Sequence, residues 1–130
     1  MGMYTELIFG ASLKENTPKD VIETLQYMVG NIEKPKNLAF DTESGRNPLL
    51  ESSCYFGIDR PVSVFYKTGK TWKLSTRASI KNDGEIEQFL QWIEPYIQSG
   101  SGSKDIYAYV TYEDSEKPMI HFLNNIKNRW

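Results

Sequence analysis

Two segments of this 130-residue chain repeat one another. Ala11-Ser12-Leu13-Lys14-Glu15-Asn16 is echoed by Ala78-Ser79-Ile80-Lys81-Asn82-Asp83, and each leads into a helical spacing in which Val21, Leu25 and Met28 correspond to Ile86, Leu90 and Ile93. A strand-then-helix unit used twice has one apolar face per unit, and neither face is buried alone. Packing both units against a shared sheet resolves this. The repeat therefore constrains the fold, and it is silent on chemistry.

Residues 4–13 alternate, with Leu7, Phe9, Ala11 and Leu13 on one face and Glu6, Ile8, Gly10 and Ser12 on the other, which is the period of a strand. Thr17-Pro18-Lys19-Asp20 reads as a cap, a proline at the first helical position and an acid near the positive helix end. The helix runs to about Val29, where Gly30 and Asn31 end it. Residues 31–61 hold Pro35, Pro48, Pro61, Gly45 and Gly57, which break any period, so a long irregular connection is expected, with a short strand near Cys54 as one option.

Residues 62–66 and 72–81 form a hairpin around Gly69. In its second strand Trp72, Leu74, Thr76, Ala78 and Ile80 alternate with Lys73, Ser75, Arg77, Ser79 and Lys81, giving one dry face and one wet one. Asp83 then caps a second helix whose buried stripe is Ile86, Phe89, Leu90 and Ile93, and Pro95 ends or kinks it. A flexible Ser-Gly run at 99–103, a last hairpin from residues 106–112 and 119–123, and a polar tail at 124–130 complete the chain. The expected fold is a single α+β domain spanning residues 1–130, with residues 1–3 as its start. It has an antiparallel sheet of about five strands with two helices on one face: a ferredoxin-like βαββαβ core plus an extra C-terminal strand.

Composition narrows the function classes. A formal charge of −2 and a pI near 5.4 provide no global attraction to nucleic acid or to an anionic membrane. One cysteine and one histidine make neither an internal disulfide nor a Cys/His metal cluster, so no metal and no cofactor are expected. No apolar run approaches the roughly 20 residues a spanning helix needs, and a cytoplasmic location follows as the expectation.

Catalytic patterns are weak. Gly69-Lys70-Thr71 ends like a phosphate-binding loop, but it joins two strands and Val64 stands where the first glycine belongs. Cys54 has only His121 as a potential base, and the alternation around His121 puts it on an outer strand face. The acids Glu113, Asp114 and Glu116 share one exposed turn, which offers no cleft to separate their pKa values. An enzyme is not expected.

The wet sheet face is more informative. Lys73 and Arg77 are expected to share it with Tyr107 and Tyr109, a basic and aromatic surface suited to a protein partner or to self-association, with the irregular segment at 40–60 as the other candidate surface. Such faces also bind single-stranded RNA, although the acidic pI argues against it here. The alternative is a small-ligand or nucleotide binder, with Arg77 and either Arg46 or Arg60 as phosphate clamps and Ser101 and Gly102 in a nest of backbone amides.

The block Ser53-Cys54-Tyr55-Phe56-Gly57, Pro61-Val62-Ser63, Trp72-Lys73-Leu74-Ser75-Thr76-Arg77 and the run at 87–97, with Gly100-Ser101-Gly102-Ser103 and Tyr109-Val110-Thr111-Tyr112-Glu113, resembles small proteins encoded by phages and prophages. The resemblance covers about residues 50–123. It implies a non-enzymatic accessory protein that binds a host protein, components of antiviral defence included, and it carries no catalytic residues.

Overall fold

The structure is a computed structural model, described here for residues 3–49, 62–98 and 106–123. The expected strand near Cys54, the Ser-Gly run and the C-terminal tail lie outside the described residues. Strand β1 (Met3–Ser12) is followed by helix α1 (Lys19–Met28). Strands β2 (Val62–Thr68) and β3 (Thr71–Asn82) form the first hairpin, and helix α2 (Glu85–Ile93) continues into a short 3-10 turn at Glu94–Tyr96. Strands β4 (Ile106–Tyr112) and β5 (Met119–Phe122) follow.

The architecture is α+β. Five antiparallel strands lie in the order β2-β3-β1-β4-β5. Each helix therefore connects strands that are separated by one other: α1 carries the chain from β1 over β3 to β2, and α2 carries it from β3 over β1 to β4. Both repeated strand-helix units start from the two longest strands, which pair from Met3 opposite Asn82 to Ser12 opposite Lys73.

That register aligns the apolar face. Leu7, Phe9 and Leu13 of the first unit and Leu74, Ala78 and Ile80 of the hairpin are buried on one side of the sheet. Val21 and Leu25 of α1 and Ile86, Phe89, Leu90 and Ile93 of α2 close over them, so one core lies between sheet and helices. Ring contacts extend it: Phe89 meets Phe9 edge-on at 5.6 Å, and Phe40 stacks on Trp92 at 4.8 Å.

Local starts and stops follow from backbone chemistry, with two departures from expectation. The α1 cap is Pro18, while Thr17 turns its hydroxyl to the Lys14 carbonyl. At α2 the cap is Gly84, in a left-handed conformation at φ 100° that suits glycine, and not Asp83. The side-chain oxygen of Asn82 instead accepts from the Ile86 amide at 3.1 Å. Pro95 sits in the 3-10 turn where α2 ends.

The described part of the irregular connection, residues 31–49, packs on the helix side of the sheet. Thr24 Oγ1 accepts from the Ala39 amide, Gln88 Oε1 from the Glu43 amide, and Asn47 donates to the Met28 carbonyl. Leu49 is fully buried in the core. This stretch is a third cover for the apolar face, and it leaves the opposite face alone.

Candidate protein-interaction surface

The face turned away from the helices is built from the other half of each alternation. Register sets one residue from every strand in a single row: Val62, Arg77, Ile8, Tyr109 and Ile120. Neighbouring strands are about 4.8 Å apart, so the row crosses roughly 19 Å. Beside it lies a second row of Val64, Ser75 and Gly10, and then a third of Tyr66, Lys73 and Ser12. Val62, Val64, Tyr66, Ile8, Tyr109 and Ile120 are each between 39% and 57% exposed. Single exposed apolar residues are ordinary; six on one face, four of them in the same row, form a patch.

Arg77 crosses this patch and its Nε donates to Glu6 Oε2 at 2.7 Å. The pair neutralises the carboxylate of the buried Glu6, and the cross-strand neighbours of Arg77 are Val62 and Ile8. Gly10 contributes a shallow gap, because a Cβ built there meets nothing within 4 Å. Ser79, on the same side, departs from the expected wet face: it is fully buried, and its hydroxyl has no partner among the described residues.

The four residues expected on this surface fare differently. Arg77 and Tyr109 are exposed in the central row, and Lys73 is half-buried two rows away. Tyr107 does not belong to it. The β4–β5 pairing shifts register between Ile106 and Ala108, and this bulge turns the Tyr107 ring to the helix side. There it is buried, 5.9 Å from the Phe9 ring, and its hydroxyl donates to Glu94 Oε2 at 3.2 Å. Alternation alone missed Val62, Val64, Tyr66 and Ile120, since an apolar period on an edge strand reads as a buried one.

Arg46, an anion-clamp candidate, is engaged within the fold. Arg46 Nη1 donates to the Lys81 carbonyl at 2.7 Å and lies 3.7 Å from the buried Glu85 carboxylate. Arg60, Ser101 and Gly102 lie outside the described residues. Among the described residues no group of three His, Cys, Asp or Glu side chains is arranged to hold a metal ion, and no helix is long and apolar enough to cross a membrane.

A polar cluster under α2 is the other chemically distinct feature. The Tyr112 hydroxyl donates to Glu87, which also accepts from Asn82, while Tyr107 donates to Glu94. Burial, followed by the adjacent carboxylate, raises both phenols well above the ordinary value of 10.0. His121 faces inward, 6.1 Å from the Tyr107 ring, so the outer-face expectation for it is corrected: its strand pairs His121 with Ala108, which is on the core side. Its Nε2 is buried with no partner among the described residues.

Burial holds the His121 imidazole below its ordinary 6.5 even though Glu87 and Glu94 pull the other way. A lowered folded pKa means that the unfolded chain takes the proton first as pH falls. Stability contributed by neutral His121 is therefore full above pH 6.5 and declines as pH drops from 6.5 toward the folded pKa. Urea unfolding midpoints at pH 7.5 and 5.5 should show this loss, and His121→Phe should flatten it. Equal slopes in the two proteins would assign the loss to other groups.

Comparison with protein-family models, with curated proteins and with solved structures finds no match for this chain.

Proposed function

We propose that this chain is a non-enzymatic binding protein that docks another protein on the outer face of its sheet. The observation that carries this reading is the exposed cross-strand row of Val62, Arg77, Ile8, Tyr109 and Ile120, an apolar strip with a guanidinium within it. Interfaces favour tyrosine and arginine as anchors, and the aliphatic residues around them exclude water. Under the resemblance to phage-encoded accessory proteins, the partner is a host protein, and components of antiviral defence are the first candidates.

Gly10 provides a test that separates docking from folding. Its side of the strand is open, so Gly10→Gln adds bulk to the face without a clash, and replacing a strand glycine removes a source of backbone entropy. Ile8→Asp combined with Ile120→Asp puts charge into the strip at two exposed positions. Both variants should keep the wild-type melting temperature within a few degrees and lose at least about tenfold in partner capture from host lysate, as central interface residues do. Undiminished capture by both variants would remove the face from the reading. Tyr109→Ala alone is the appropriate tyrosine test, because Tyr107→Ala would open the core.

A further inference from the structure

Charge is segregated along this chain. Residues 62–82, which form the β2–β3 hairpin, hold Lys67, Lys70, Lys73, Arg77 and Lys81 and no Asp or Glu. The other 109 residues hold ten Lys and Arg against seventeen Asp and Glu. An acidic molecule thus presents one basic hairpin, and that hairpin supplies three of the six exposed apolar residues of the outer face.

The geometry joins the two properties. Lys73, Arg77 and Lys81 alternate along β3 on the outer face, flanked by Val64 and Val62 on one side and by Ile8 on the other. Lys67 and Lys70 extend the positive potential to the exposed hairpin end. Two carboxylates face this surface: Glu6, which is paired with Arg77, and Glu113, which accepts from the Tyr4 amide at 2.6 Å near the Lys81 end. Positive charge therefore predominates at the Lys73 end, beside the apolar strip.

Resting on the reading of the outer face as a docking surface, we infer that its occupant is an acidic segment of another protein, in which Asp and Glu flank apolar side chains. Apolar residues fill the Ile8, Gly10 and Val64 area, and carboxylates meet Lys73 and the hairpin lysines. A second copy is a poor occupant of the same face, since face-to-face pairing opposes like charges. Head-to-tail pairing through the acids nearest α2 is also disfavoured, because Glu85, Glu87 and Glu94 are already engaged within the fold. A nucleic-acid strand is disfavoured by the aliphatic bed. Base stacking needs planar platforms, and Tyr66 and Tyr109 stand on strands three steps apart, roughly 14 Å.

Selection from a random peptide library displayed on phage, against the immobilised full chain, tests this without a known partner. Enriched peptides should carry Asp and Glu in excess of Lys and Arg, interspersed with Leu, Ile or Phe. A synthetic representative should bind at least about tenfold more weakly to Lys70→Glu/Lys73→Glu and to Ile8→Asp/Ile120→Asp, and more weakly still as salt is raised. Melting temperatures of both variants confirm folding. Peptides that need Ile8 and Ile120 but show no acidic excess would overturn this inference and leave the docking face standing. Peptides indifferent to Ile8 and Ile120, or no enrichment at all, would overturn both. Tighter binding of oligouridylate than of any peptide, or sedimentation as a dimer abolished by the same substitutions, would also overturn both.

Discussion

Replacing Phe89 by alanine is expected to remove about 3–5 kcal/mol of stability, the largest loss from any single side chain in this fold. Phe89 is fully buried on α2 and is the point where three parts of the molecule meet. Its ring lies 5.6 Å from Phe9 on the central strand, 6.3 Å from Phe40 in the connection and 6.2 Å from Trp92 one turn along its own helix. Truncation leaves a void that none of these rings fills without leaving its present contacts, so the cavity adds to the lost transfer free energy. A domain of this size has about 5–15 kcal/mol in total, and such a variant is expected to be partly unfolded at 37 °C. Chemical denaturation reads the result directly. Phe89→Leu, which keeps most of the volume, should cost clearly less; equal losses would mean that the ring contacts contribute little.

Glu85→Ala is expected to cost about 3 kcal/mol for a different reason. The carboxylate is 1% exposed at the first turn of α2 and is satisfied from three directions. Ser44 donates its hydroxyl at 2.6 Å, the Asp83 amide donates at 2.6 Å, and the Arg46 guanidinium lies 3.7 Å away. Burial by itself would raise the carboxyl, but these hydrogen bonds and the arginine charge together hold it below its ordinary value of 4.5. Removing the side chain takes the shared acceptor from the Ser44 hydroxyl and the Asp83 amide, deprives Arg46 of its buried counter-charge, and loosens residues 42–46 at the helix start.

The pH dependence has a defined sign. Because the folded pKa is depressed, the contribution of Glu85 is full above pH 4.5 and is lost as pH falls through the folded value. Glu85→Gln should therefore be less stable than wild type at pH 7, with the gap closing below pH 4.5. This window lies under the one assigned to His121, so the two groups are separable in a single titration of unfolding midpoints. A gap that stays constant with pH would show that charge at Glu85 adds nothing.

Much of the fold was legible because its signals are local. The alternation in β1 and β3 and the 3.6-residue spacing in α1 and α2 each depend on a few neighbours, and the repeat linked them into two comparable units. Apart from the one-residue shifts at the helix caps, the departures required knowledge of a distant residue or an inserted one. Period two puts Tyr107 on the outer face, but a bulge at the start of β4, marked by no glycine or proline, breaks it; His121 faces inward because the apolar Ile120 beside it is the residue turned outward. Arg46 carried no sign that Glu85, thirty-nine residues away, would engage it. The exposed apolar row was half legible: Tyr109 and Arg77 were visible in their strands, whereas Val62 and Ile120 acquired meaning only from registers that bring five strands into line.

The docking claim is tested most directly by covalent capture from defined faces of the intact protein. A photo-crosslinking benzoylphenylalanine placed at Tyr109, in the outer row, is compared with one at Lys19, an exposed position on α1. On irradiation in the cells where the protein acts, position 109 should yield discrete heavier adducts that disappear with Gly10→Gln, and position 19 should yield none. Adducts from position 19 with none from 109, or adducts from 109 indifferent to Gly10→Gln, would contradict a partner seated on the sheet.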